Sequence, residues 1–196
     1  MTILQNSGIQ IKWDGFYSMT DSALSSAQRT LATEIDGLQA LSDALGDNFE
    51  QAATMLAEIS GRVIVSGMGK SGHVAGKIAA TLASTGTPAF FVHPAEASHG
   101  DMGMITRNDC VLALSHSGNT QEIITLLPLI KRLDIPLISI TGNAESELAR
   151  ASTVHLLAAV ESEACPLNLA PTSSTTAALV MGDALAIAVL EARGFT

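Results

Sequence analysis

The chain alternates between two hydrophobic periods. Short apolar runs rich in β-branched residues stand at 63–65, 88–92, 110–114, 137–140 and 154–157. Between them, at 74–85, 121–133 and 145–151, apolar residues recur at helical spacing, and a last long helical stretch runs from 174 to 193. Runs this continuous are what strands covered on both faces look like. Their alternation with helices predicts an α/β fold, a three-layer αβα sandwich around a five-stranded parallel sheet. Two helices are expected ahead of the sheet. The first carries Leu24, Ala27, Leu31, Ile35, Leu38, Leu41 and Leu45 and is closed by Gly46; the second carries Phe49, Ala53, Leu56 and Ile59. The stripe of the first is expected to pack on its own domain rather than on a second subunit. Residues 1–19 show weak periodicity and read as an N-terminal extension, which leaves 20–196 as one domain.

In doubly wound sheets ligands bind at the carboxyl ends of the strands, beside the point where strand order reverses. After the first strand comes Gly67-Met68-Gly69-Lys70-Ser71-Gly72. A glycine turn that opens a helix points backbone N–H groups and a positive helix end at an anion, and Lys70 adds a mobile charge. The same six residues fit G-x-G-x-x-G, so a nicotinamide or flavin dinucleotide is a rival ligand. Against it, the second strand ends Val92-His93-Pro94 without the ribose-binding acid, and Glu96 follows late, after a proline. A P-loop fails outright, because Ile64 stands where its first glycine belongs.

After the third strand, Ser115-His116-Ser117-Gly118-Asn119-Thr120 leads into a helix bearing Glu122. Three hydroxyls beside a helix start suit a phosphate dianion; the competing reading is an N-cap supplied by Ser117 or Thr120. After the fifth, Glu163-Ala164-Cys165-Pro166 precedes Ala170-Pro171-Thr172-Ser173-Ser174-Thr175-Thr176, a second hydroxyl-rich helix entry. Capping competes there too, and a solvated loop carboxylate is the plain alternative for Glu163. One lysine, two hydroxyl-rich helix starts and two carboxylates at one sheet edge suit proton transfer on a phosphorylated sugar. A carboxylate moves a proton between adjacent carbons while a cation and N–H donors hold the enediolate.

Charge and cysteine count narrow the partners. The net charge is −9 over 196 residues, so nucleic acid and anionic membrane surfaces are excluded as main partners, while a small anion can bind where local donors outweigh the field. Cys110 and Cys165 are too few for a disulfide framework and read as reduced thiols, Cys165 as a small buried residue. No signal peptide or bilayer-length segment is read in the chain, so a soluble, cytoplasmic protein is expected. His73, His93, His99 and His116 fall at the same sheet edge, but their spacing matches no compact metal motif. Hydrogen bonding to a sugar, or a solvent-exposed position, fits them better.

The motifs at the strand ends, together with Phe91-Val92-His93-Pro94-Ala95-Glu96-Ala97-Ser98-His99-Gly100-Asp101, resemble the sugar isomerase (SIS) domain of arabinose 5-phosphate isomerases. The resemblance runs from about residue 21 to 196 and implies a flavodoxin-like, doubly wound fold. It implies interconversion of D-ribulose 5-phosphate and D-arabinose 5-phosphate through a cis-enediolate, feeding 3-deoxy-D-manno-octulosonate synthesis for lipopolysaccharide or capsule. Lys70, Glu122 and Glu163 match the family's catalytic residues: Glu163 as the C1/C2 proton shuttle, Glu122 positioning hydroxyls or relaying protons, Lys70 holding the enediolate. Gly69, Ser71, His99, Ser115, Ser117, Gly118, Thr120, Ser173 and Ser174 form the expected substrate-binding set. No cofactor and no required metal is implied, with His99 the one candidate for an inhibitory zinc contact. A homotetramer built as a dimer of dimers is expected. Family members continue into a Ser-His-Pro-Gly-Gly segment, whose histidine joins the active site, and into a CBS pair; the sequence stops at Thr196, before either. The alternative from another class is a sugar-phosphate-binding SIS regulator without turnover, which has no need of Glu163.

Overall fold

The structure, a computed structural model, describes residues 22–98 and 100–195. Residues 1–19 and His99 therefore lie outside the described residues. Helices α1 (Ala23–Asp43) and α2 (Asp47–Glu58) precede β1 (Val63–Gly67), α3 (Gly69–Ser84), β2 (Ala89–Phe91) and α4 (Pro94–Ser98). A 3-10 turn (Asp101–Met104) leads to β3 (Cys110–Leu114), α5 (Gln121–Ile124), α6 (Leu127–Leu133) and β4 (Leu137–Thr141). Then come α7 (Glu147–Ala151), β5 (Val154–Leu157) and α8 (Ser173–Arg193).

All five strands are parallel, in the order β2-β1-β3-β4-β5. Alternate side chains of one strand go to opposite faces. Val63 and Val65 of β1 join Cys110, Leu112 and Leu114 of β3 in a core under α2, α3 and α8, while Ile64, Val111 and Ala113 join a second core under α4 to α7. The expected three-layer sandwich is thus what forms. The chain leaves β1 toward β2 and returns to place β3 on the other side of β1, so the reversal falls between the carboxyl ends of β1 and β3. Both ends carry the motifs singled out above.

Three elements differ from expectation. The single helix expected over 121–133 is divided, because Pro128 has no N–H to give and its ring collides with the carbonyl one turn back. The α3 helix starts at Gly69, inside the glycine turn rather than after it. Only the second half of α1 packs as expected: Leu41 is buried and Leu38 lies against the core, but Leu24, Leu31 and Ile35 are more than 60% exposed. Helix α8 alone among the described residues is long and apolar enough, by length and composition, to cross a membrane. Its Ala177, Met181, Leu185, Ala186 and Val189 are spent on the core.

Behind the sheet's amino edge, Asp109 is a buried carboxylate that ties the turn before β3 to Arg62 ahead of β1. Its Oδ1 accepts from the Arg62 N–H at 2.7 Å, and its Oδ2 accepts from the Thr106 N–H at 2.7 Å, the Thr106 hydroxyl at 3.1 Å and the Arg62 guanidinium at 3.2 Å. Burial pushes the carboxyl up, but these donors outweigh it and hold it below the ordinary range. Asp109→Asn turns an NH₂ toward donors that need an acceptor and is expected to cost about 2–4 kcal/mol in urea unfolding at pH 7. Because the folded carboxyl titrates below the unfolded one, its contribution is complete above about pH 4 and falls away as pH drops through the folded value. The gap between wild type and Asp109→Asn should therefore narrow on acidification.

Candidate active site

The carboxyl ends of β1, β3 and β4 and the start of α8 enclose a cavity of about 220 Å³. Met68 at the N-cap of α3 and Lys70 and Ser71 in its first turn line it, with Ser115 and His116 from the β3 loop and Thr141 and Gly142 from the end of β4. Ser174, Thr175 and Ala178 close it from α8, and Pro171 from the loop before that helix. The glycines of the first turn explain how α3 comes so near its strand. A Cβ on Gly67 would lie 2.7 Å from the Ser71 carbonyl oxygen, and one on Gly72 would lie 2.7 Å from the Gly67 oxygen. This close approach is what the G-x-G-x-x-G spacing serves here. It sets Lys70, in the first turn of α3, against the cavity with its ammonium making no ion pair among the described residues.

The hydroxyls divide into those that face the cavity and those that hold the loops. Ser115 lines the cavity, shares a 2.8 Å hydrogen bond with the Thr120 hydroxyl and accepts from the Gly118 N–H at 3.1 Å. Thr120 stands at the N-cap of α5, yet its hydroxyl goes to Ser115 instead of capping the helix. Ser117 is exposed, accepts from the Asn119 N–H at 3.3 Å and does not line the cavity. Gly118 is buried in the turn and Gly69 is exposed at the start of α3; neither contributes to the lining. Ser173 is turned the other way: its Cβ is the neighbour a Cβ on Gly37 of α1 would meet at 4.0 Å, and its buried hydroxyl has no partner among the described residues. Ser71 and Ser174 do line the cavity.

Neither glutamate does. Glu122 sits in the first turn of α5, half-buried, with no partner for its carboxylate among the described residues. Glu163 lies one hydroxyl behind the wall. Its Oε2 accepts from the Thr172 N–H at 2.7 Å, the Thr172 hydroxyl at 3.1 Å and the Ser174 N–H at 3.2 Å, and its Oε1 accepts from the Ser174 hydroxyl. This carboxylate caps α8 in place of a side chain from Thr172, which makes no cap bond of its own. Burial raises the Glu163 carboxyl, but the four donors outweigh it and hold it below the usual glutamate range.

His116 and Thr175, from the two hydroxyl-rich stretches read in the sequence, line the cavity, and so do Thr141 and Gly142, which were not singled out. Thr141 and Gly142 were findable, since they end β4 and the strand-end rule applies to every strand of the sheet. Cys165 corrects the expectation of an inert buried thiol. It is half-exposed, and the N–H groups of Ala170, Leu169 and Leu167 lower its thiol from the ordinary value. Cys110 keeps the opposite character, with burial pushing its thiol up to about 12. No group of three or more potential metal ligands occurs among the described residues.

Comparison with known proteins bears on this cavity. Residues 55–188 match the family model described as SIS domain. The chain is 70% identical over 171 residues to the arabinose 5-phosphate isomerase KdsD of Pseudomonas aeruginosa PAO1, covering 87% of this chain and 52% of that protein. It is 58% identical over 182 residues to the KdsD of Francisella tularensis, covering 91% of this chain and 55% of that protein. The chain thus spans about half the length of the curated relatives it matches. A chain from Escherichia coli CFT073, solved in complex with arabinose 5-phosphate, superposes with a TM-score of 0.85 at 41% identity, covering 88% of this chain and 92% of that one.

Proposed function

The chain belongs to the SIS domain family, and from that premise we propose that it is an aldose–ketose isomerase interconverting D-ribulose 5-phosphate and D-arabinose 5-phosphate. The observation that carries the reading is the cavity at the sheet's reversal point, where Lys70 and the hydroxyls of Ser71, Ser115, Ser174 and Thr175 converge. The reaction is redox-neutral within one molecule and calls for no cofactor. A base takes a proton from C1 of the ketose, C1 and C2 become double-bonded, and the charge that collects on the C2 oxygen needs a cation or N–H donors. The proton on O1 passes to O2, and returning a proton to C2 then leaves the aldehyde at C1 and the hydroxyl at C2. In this reading Lys70 holds the enediolate, Glu163 shuttles the proton and Glu122 positions hydroxyls or relays protons. The phosphate is held by the loops over 115–120 and 172–175.

We further propose that the reaction serves 3-deoxy-D-manno-octulosonate supply for lipopolysaccharide or capsule in a soluble cytoplasmic protein, as the resemblance to arabinose 5-phosphate isomerases implies. The exposed stripe of Leu24, Leu31 and Ile35, with Val180 and Ile187 exposed on α8, supports a homo-oligomer, read as a tetramer of paired dimers. Incubation with ribulose 5-phosphate in deuterated water is the decisive experiment. Arabinose 5-phosphate carrying deuterium at C2 is the expected product. Binding with neither product nor exchange would sink the enzyme and leave a non-catalytic regulator.

A further inference from the structure

The protein carries a net charge of −9, yet no carboxylate among the described residues lines the cavity. Among the described residues its ionisable lining side chains are Lys70 and His116, both of a type that can carry positive charge. They stand on opposite sides of Ser115. Lys70 belongs to the β1 end, and the His116 ring lies over Gly142 at the β4 end, where a Cβ on Gly142 would be 2.4 Å from His116 Cε1 and 2.6 Å from Nδ1. The Gly142 N–H donates to the His116 carbonyl at 2.8 Å, extending the β3–β4 pairing one step past the strands. The imidazole of this exposed residue therefore rests against the Gly142 backbone in a pose that a side chain at 142 would displace. Neither ring nitrogen bonds to any described residue, so both are available to a ligand.

A sugar phosphate brings two negative centres, the phosphate and the oxyanion that forms at its other end. With Lys70 at the reacting end, the second site falls to the far side. We infer that His116 is a substrate-contacting residue of the phosphate end, its ring donating a hydrogen bond to the phosphate beside the hydroxyls of Ser115 and Thr175. The inference rests on the sugar-phosphate reading above, not on turnover. The titratable groups on the elements around the ring are Lys70 on α3, Glu122 on α5, Glu163 behind Ser174 and His155, whose Nε2 is paired with the Thr141 hydroxyl at 2.9 Å. None of these bonds to the imidazole.

Three measurements test it. In wild-type protein, inorganic phosphate should move the His116 ring NMR signal, assigned by its loss in His116→Gln, and arabinose 5-phosphate should move it further. His116→Gln should weaken binding of both by about 10- to 100-fold, the size of one hydrogen bond to a charged group, and raise KM more than it lowers kcat. Gly142→Ala, which keeps the imidazole but displaces it, should shift affinity the same way. A ring signal unmoved at saturating arabinose 5-phosphate, or equal affinity in wild type and His116→Gln, overturns the assignment. Phosphate binding that behaves as stated in a protein without isomerase turnover removes the enzyme reading and leaves His116 where it is placed.

Discussion

Lys70→Met is expected to lower kcat for ribulose 5-phosphate isomerisation by about 10²- to 10³-fold, the cost of removing one donor from a developing oxyanion, while KM changes far less. Two roles compete for this residue, and kinetics separates them. A lysine that anchors the phosphate is used equally in ground and transition states, so its loss raises KM and spares kcat. A lysine aimed at the enediolate is used only once charge leaves C1, so its loss falls on kcat. The structure favours the second. Lys70 rides on the first turn of α3, held close to β1 by Gly67 and Gly72, while hydroxyls for a phosphate converge from the β3 loop and α8. Methionine keeps the stem's length and apolar contacts, so the fold is untouched by the change. A raised KM with kcat intact would return Lys70 to the phosphate.

The fold was legible wherever one strand or helix carried its own signal. The runs 63–67, 110–114 and 137–141 are buried at every position and are apolar but for Ser66, Ser139 and Thr141, so they read as strands without needing neighbours to interpret them. What escaped was set by contacts far along the chain. The His116 ring takes its pose from Gly142 on the next strand, and nothing near His116 announces it. Ser173 and Ser174 are adjacent hydroxyls in sequence, yet the helix sends one toward α1 and the other into the cavity. The stripe of α1 is real as a pattern, but a pattern states that a face is apolar, not how far along the helix the core extends to cover it. The strand-end rule found Lys70, Ser71, Ser115 and Ser174 because each follows a strand or opens the helix after it. It could not find the capping role of Glu163, whose partners are nine and eleven residues on.

Glu163→Gln is expected to have two separable effects, because the carboxylate has two employments. As the proposed base, its loss should cut turnover and C2 deuterium incorporation by about 10²- to 10⁴-fold while arabinose 5-phosphate still binds. As the cap of α8, it meets only donors on both oxygens, so a carboxamide must turn its NH₂ toward either Thr172 or Ser174. That should cost about 1–2 kcal/mol of stability at pH 7. The sign with pH follows from the lowered carboxyl: the capping contribution is complete above the unfolded glutamate value, about 4.3, and is lost as pH falls through the folded value. Wild type and Glu163→Gln should then converge in stability on acidification. The two employments also pull against each other, since four donors make a firm cap but a weak base, and proton abstraction is most efficient when the base titrates near working pH. Proton transfer from this position must pass through the Ser174 hydroxyl, which bonds Glu163 and faces the cavity, or follow its release. Ser174→Ala decides between them: a relay loses turnover with the serine, whereas a carboxylate freed of one donor rises toward a working pH and keeps it.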